Sequence, residues 1–528
     1  MMLSTSPCEQ IRDIAGDPAA NQTEVAHKGR GTRQSGRALR KSLRLGLSRW
    51  QIGLALFTLS ATLSLTACAQ DAPSSTPAAD SPPAAALDAP QGAEQEIQFT
   101  RTAGSDWTAF LGPNGDGTSP ETGVRPDLWS PHPAIRWSMP LGVSYGGPTI
   151  CQGRLLQFDR FGNQERLTCF EAETARELWR FESSVEYDDM YGYNNGPRCS
   201  PIVDGDLIYT YGVTGRLSCV ELKTGKRVWS KDMVLDYDVV QNFFGVASSP
   251  FVFQDLLLVM VGGSTKESLS LPPGRLDQVE PSGSAIVALD KRTGQEVYRL
   301  GDDLASYASL TVREIEGEPT GLAFLRNGLL AWEPQSGKQR FAYPWRAPML
   351  ESVNAALPVT SGDRILLSEA YEVGSVLLES VEGSPEVVWK DSGPRNKCSF
   401  RAHWSTPVLI DGYLYGCNGR NQPDSDLRCV RLADGEVQWM DRRHERSSVL
   451  AVDGYLIVLG EYGRLDLIRP NPEKLEVVRT VDLSEIVDPV DGLPLLDYPC
   501  WAAPVLSHGQ LYLRGNRHLV SFDLIPGT

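Results

Sequence analysis

The chain has 528 residues, 50 basic and 66 acidic side chains and a formal charge of −16, a balance that argues against binding nucleic acid or docking on an anionic membrane face. That length exceeds one ordinary hydrophobic core, but a closed ring of repeated units holds it as one large domain, so no second globular domain is required.

In chain order, the first signal is a leader. Residues 28–49 carry Lys28, Arg30, Arg33, Arg37, Arg40, Lys41, Arg44 and Arg49 with no acidic residue, and the apolar run from Ile52 to Thr66 follows. Basic then apolar then small residues mark an export signal, and the run is too short for a comfortable membrane span. It ends in Leu65-Thr66-Ala67-Cys68, which resembles the bacterial lipobox. The resemblance implies a signal peptide over 1–67, lipidation of Cys68 and a periplasmic-facing anchor. Ala69 rather than Asp follows the cysteine, which favours the outer membrane. Residues 1–67 hold nine basic and four acidic side chains, so their removal leaves 41 against 62, a net −21. Residues 68–97 are rich in Ala, Pro and Ser and lack the apolar content to bury anything, which predicts a flexible tether.

From 98 to 528 the chain repeats itself. Glu171 to Trp179, Glu221 to Trp229, Asp290 to Tyr298, Glu333 to Phe341 and Arg431 to Trp439 share one spacing of an acidic residue (Arg in the last), a turn and an aromatic ring. The turns read Thr-Gly, Ser-Gly or Asp-Gly between apolar runs, with Thr-Ala in the first, and such turns join antiparallel strands. A second hairpin precedes most blocks, opening at Pro148, Pro201, Pro250, Pro407 and Pro504. Two hairpins per unit make a four-stranded blade, and intervals of about fifty residues indicate a propeller. Weaker copies from Leu310 to Phe341, Leu357 to Trp389 and Val449 to Val478 bring the count to eight blades. The last, from Ala503 to Leu524, has three strands, and the segment Ile135-Arg-Trp-Ser-Met-Pro is expected to supply the fourth. That places Trp137 in the aromatic slot and closes the ring near 135–140, removing open sheet edges. Trp137, Trp179, Trp229, Tyr298, Phe341, Trp389 and Trp439 are accordingly expected to dock blade against blade.

These blocks resemble the tryptophan-docking repeat of the pyrroloquinoline-quinone (PQQ) propellers, and the segment from Trp107 to Ser119 resembles the opening of bacterial PQQ-like repeat proteins. The resemblance implies an all-β fold, an eight-bladed PQQ-like propeller of the quinoprotein alcohol dehydrogenase type. The same repeat serves dehydrogenases and non-catalytic scaffolds such as the propeller lipoprotein of the outer-membrane β-barrel assembly machinery. A dehydrogenase of this kind implies a calcium ion beside PQQ, a catalytic Asp and, in many members, a vicinal disulfide. The chain has no Cys-Cys dipeptide and no compact carboxylate and amide grouping that matches the calcium ligands. Neither zinc-binding His and Cys spacings nor a Gly-x-Ser-x-Gly elbow occurs. The expectation is a binding or assembly scaffold of the cell envelope with envelope proteins as partners, no catalytic residues, no metal and no cofactor. The alternatives are a PQQ- and calcium-dependent oxidoreductase or a small-ligand or glycan binder.

The polar segments before the opening prolines are the candidate site. If they converge at a channel mouth, Asn195, Arg198, Asn242, Asn354, Arg401, His403, Trp404 and Trp501 surround a polar, aromatic rim suited to a carboxylate or sugar-like ligand. The bland alternative has those polar groups bonding blade backbone. Cys417 and Cys429 flank a long turn and are candidates for a disulfide, whereas Cys169 and Cys219 suit a bridge or the core equally. The insertion Gly263 to Ser282, with Leu269, Leu271 and Leu276, is expected to protrude from the third blade.

Overall fold

A computed structural model describes Ile97 and residues 99–527. The export signal, Cys68 and nearly all of the tether lie outside the described residues. Among those described, no helix is long and apolar enough to cross a membrane.

The described residues form eight antiparallel sheets arranged as an eight-bladed propeller. Blades 1 to 6 span 149–184, 202–232, 251–300, 311–344, 359–390 and 408–441, each with four strands in sequential order. Blade 7 (447–482) gains a short parallel strand, Thr118–Ser119, on its first strand. Blade 8 consists of Val505–Ser507, Gln510–Arg514 and His518–Asp523, with Ala134–Pro140 alongside in antiparallel register, Ser138 opposite Val520.

Within a blade the first strands are short and mostly covered, as in Thr149–Cys151, the second strands are buried almost throughout, and the fourth alternate with solvent, as in Glu177–Ser184. That gradient places first strands at the axis and fourth strands at the rim. Segments entering the first strands touch between blades: Thr149 Oγ1 donates to Pro201 O at 2.6 Å, and Thr406 Oγ1 accepts from Leu357 N at 3.0 Å. Apolar side chains of adjacent sheets interdigitate, for example Leu257 and Val259 of blade 3 with Leu217 and Tyr209 of blade 2.

The repeat turns take their shape from the acidic residue. In blade 2, Gly225 N donates to Glu221 O at 2.9 Å, and Thr224 Oγ1 donates to the Glu221 carboxylate at 2.7 Å. Gly225 has φ +68°, and a Cβ there would fall 2.4 Å from the Trp179 ring, so glycine serves both the turn and the docking of the neighbouring indole. All seven expected docking rings lie on fourth strands at such seams, each in the core between neighbouring blades.

Two expectations are corrected. All eight cysteines among the described residues are free and buried. Cys417 lies opposite Leu427 and Cys429 opposite Tyr415, so the pair is two residues out of register for a bridge, while Cys169 and Cys219 sit opposite Trp179 and Trp229 as core. The insertion folds down instead of protruding: Leu276 is buried with Phe243, Leu304 and Val353, and Gly274 N donates to Gln241 O at 3.1 Å. Leu269 alone of its three leucines is exposed.

Candidate functional site

The connections from each fourth strand to the next first strand, and the turns after second strands, gather on one face of the ring. There they build two arcs of aromatic side chains. In the first, Tyr145 lies 4.9 Å from Trp501, Trp501 5.3 Å from Trp404, Trp404 5.4 Å from His403, and His403 5.7 Å from Tyr371, centroid to centroid. In the second, Phe244 lies 5.5 Å from Tyr191, 6.0 Å from Tyr193 and 5.4 Å from Tyr307. The Arg198 guanidinium joins the arcs, 5.7 Å from the Tyr145 ring and 5.9 Å from Phe244.

Guanidinium groups set the electrostatics of the first arc. Arg446 lies 4.8 Å from the Trp404 ring and 5.0 Å from that of Trp501. Its Nε is 2.9 Å from both Glu461 oxygens, and Trp501 Nε1 donates to the same carboxylate at 3.0 Å. Burial pulls the Arg446 pKa down, but Glu461 outweighs it and holds the guanidinium above its ordinary value. Arg420 stacks 4.6 Å from the Tyr371 ring and has no carboxylate partner among the described residues. Burial, with Arg446 and Arg420 nearby, lowers the His403 pKa to about 3, so its imidazole is neutral at physiological pH, and its buried Nδ1 lacks a hydrogen-bond partner. Burial raises the Tyr145 and Tyr371 phenols to about 12, keeping both protonated.

The eight residues singled out from the sequence divide by what they touch. Asn195 Oδ1 accepts from Asp189 N at 2.8 Å and its amide donates to Asp188 at 3.0 Å. Asn242 is held between Ala305 O and Phe243 N, and Asn354 donates to Leu325 O at 2.8 Å. These three asparagines shape loop backbone. Arg198 pairs with buried Asp189 at 2.6 Å while its guanidinium still faces the two rings. Arg401, 3% exposed, is chelated by Asp424 at 2.8 and 3.0 Å and fixes a turn. His403, Trp404 and Trp501 do come together at the mouth.

Sequence reasoning missed Tyr145, Tyr371, Arg420, Arg446 and Glu461. Tyr371, Arg420 and Glu461 follow the second strands of three successive blades by one or two residues, after Glu369, Asn418 and Gly460. That shared offset is the signal that finds them.

A calcium-bound quinone needs carboxylate and amide oxygens free to turn toward it. Asp189, Glu461 and Asp424 each hold an arginine, and Glu369 accepts three backbone N–H groups. Among the described residues no group of three or more His, Cys, Asp or Glu is placed to hold a metal ion. These four carboxylates are thus engaged already by arginines and backbone N–H groups.

A family model described as outer membrane protein assembly factor BamB matches residues 127–298 and 163–472. No curated protein matches the chain. Among solved structures, BamB from Moraxella catarrhalis is similar at 10% identity and a TM-score of 0.46, over 74% of this chain and 97% of that one. Quinohemoprotein alcohol dehydrogenase from Comamonas testosteroni is similar at 13% identity and a TM-score of 0.45, over 80% and 81%. The computationally designed Ika8 protein follows at 8% identity and a TM-score of 0.44, over 77% and 99%. The family match takes in most of the propeller, and the chain belongs to the PQQ-repeat family whose model bears the BamB description.

Proposed function

We propose that this protein is an exported, lipid-anchored propeller of the cell envelope that binds other envelope proteins through the aromatic mouth and catalyses no reaction of its own. The observation that carries the reading is the composition of the mouth. Exposed Met190, Tyr191, Tyr193, Tyr462 and Tyr498 surround ring-stacked arginines whose neighbouring carboxylates are already paired. Tyr, Trp and Arg around a preordered centre make a protein-binding hot spot, whereas general acid or base chemistry needs a carboxylate or imidazole with a usable pKa. His403, held at about 3, does not supply one. The leader, the Cys68 motif and the assembly-factor description of the family model support the envelope location and the class of partner. No cofactor is part of the reading.

A photocrosslinking amino acid placed at Tyr193 or Tyr498 in living cells tests this, with Val387 on a blade's outer strand as control. Discrete adducts with an envelope protein from the mouth positions, and none from Val387, are expected. Adducts from Val387 alone, or from neither mouth position, overturn the reading.

A further inference from the structure

A cavity of about 360 Å³ lies between blades 2 and 3. That volume falls in the range of small-molecule sites. Val213, Val234, Val239, Val246 and Met260 give it an apolar body.

Its walls are fixed by bonds already made. Val246 N donates to Val213 O at 2.9 Å, and both polar atoms of the Asn242 amide are engaged by Ala305 O and Phe243 N. Gly245 has φ +68°, and a Cβ there would fall 2.6 Å from Val213 O, so glycine permits the close approach that closes this side.

Two buried hydroxyls on the lining are left over, those of Tyr187 and Ser248. Ser248 is 3% exposed and lines the cavity, and its Oγ has no hydrogen-bond partner, although its carbonyl accepts from the Cys199 thiol at 3.3 Å. A buried hydroxyl without a partner is costly, and a ligand atom at that point relieves it. The charge of the lining is one-sided as well. Glu186 and Asp188 are on it, with no Lys, Arg or His. Asp188 accepts from Asn195 Nδ2 at 3.0 Å, while Glu186 is exposed and has no ion-pair partner among the described residues. An anionic ligand meets like charge here, and a cation meets a complement.

We propose that this cavity is a binding site for a small organic amine, with its apolar body against the valines, a polar atom at Ser248 Oγ and its ammonium group facing Glu186.

Saturation-transfer NMR on the purified full chain tests the proposal with cyclohexylamine, cyclohexanol and cyclohexanecarboxylate as probes. Transfer is expected to cyclohexylamine, about fivefold weaker to cyclohexanol, and absent to the carboxylate. Ala247→Leu, which fills the cavity, abolishes all transfer. Glu186→Gln, at an exposed position, lowers the cyclohexylamine signal to that of cyclohexanol. Equal transfer to the carboxylate, an unchanged amine signal in Glu186→Gln, or no transfer to any probe overturns the proposal. So does transfer that persists in Ala247→Leu at a wild-type unfolding midpoint.

Discussion

The indole N–H of Trp389, on the outer strand of blade 5, donates to the carbonyl of Leu432 in blade 6 at 2.8 Å. The same bond joins Trp179 to Leu222 and Trp137 to Ala172 at 3.1 Å, and Trp229 to Lys291 at 3.2 Å. Each acceptor is the residue after the first position of the repeat block. Tyr298 reaches the equivalent carbonyl, Pro334, with its hydroxyl at 2.5 Å. Phe341 has no donor, and the blade it faces turns through Glu382-Gly383 in place of the longer turn.

Trp389→Phe should therefore lose about 1 kcal/mol from the bond, plus a packing loss. Phe341→Trp should gain no stability, because no carbonyl of this kind awaits it. Urea unfolding midpoints of the two variants separate these outcomes. A gain in Phe341→Trp contradicts the account.

The seam between blades 8 and 1 contains a buried ion pair. Arg514 Nη1 lies 2.8 Å from Asp159 Oδ1, and Nη2 donates to Gly142 O at 3.1 Å and Ser144 O at 2.9 Å. Arg514→Met leaves Asp159 buried and unpaired, which should cost about 3–5 kcal/mol, and adding Asp159→Asn should recover part of it. Denaturant unfolding of the single and double variants measures the coupling. Equal losses in both rule out the ion pair as the source.

Glu165 is 2% exposed, and burial raises its pKa to about 7 against the opposing Val213 N–H, Arg160 and Arg216. The folded state thus holds a proton that the unfolded chain releases near its ordinary value. Stability attributable to this group falls as pH rises from about 4.5 to about 7 and is level above. Glu165→Gln keeps an acceptor for Val213 N and removes the penalty. It should raise the melting temperature at pH 8 and leave it unchanged near pH 4. A loss at pH 8 shows that the charged form is stabilising.

Arg446 is second to burial in depressing His403. In Arg446→Met the imidazole should titrate above 3 and still below its ordinary 6.5, because burial and Arg420 remain. NMR titration of His403 reads this directly. An unmoved pKa assigns the whole depression to burial.

The architecture was legible because most blades declare themselves through a repeat turn, a ring that must fill the next seam, or both. Phe341 and Tyr298 fitted the pattern although only Tyr298 makes the bond. The mouth was legible in part. His403, Trp404 and Trp501 stand beside strand starts that the prolines mark, but Arg446 and Glu461 meet at the far end of the Asp453-Gly454 hairpin, where only a residue-by-residue register brings them together. The asparagines read as rim ligands serve loop backbone, since a polar side chain in a turn looks the same in sequence whether it faces a ligand or a carbonyl. Leu276 illustrates the converse: its apolarity is visible, while Phe243, which receives it, comes from another connection.

Blade 8 draws its outer strand, Ala134–Pro140, from the start of the domain and its other three from the end. A polypeptide emerging amino end first carries that strand without its partner until the last hairpin appears. Chains cut short before Gln510 keep a bare strand edge and an open seam, the features that recruit other chains into aggregates. The ring thereby registers whether synthesis has passed blade 8: only a chain that carries His518–Asp523 covers the waiting edge of Ala134–Pro140.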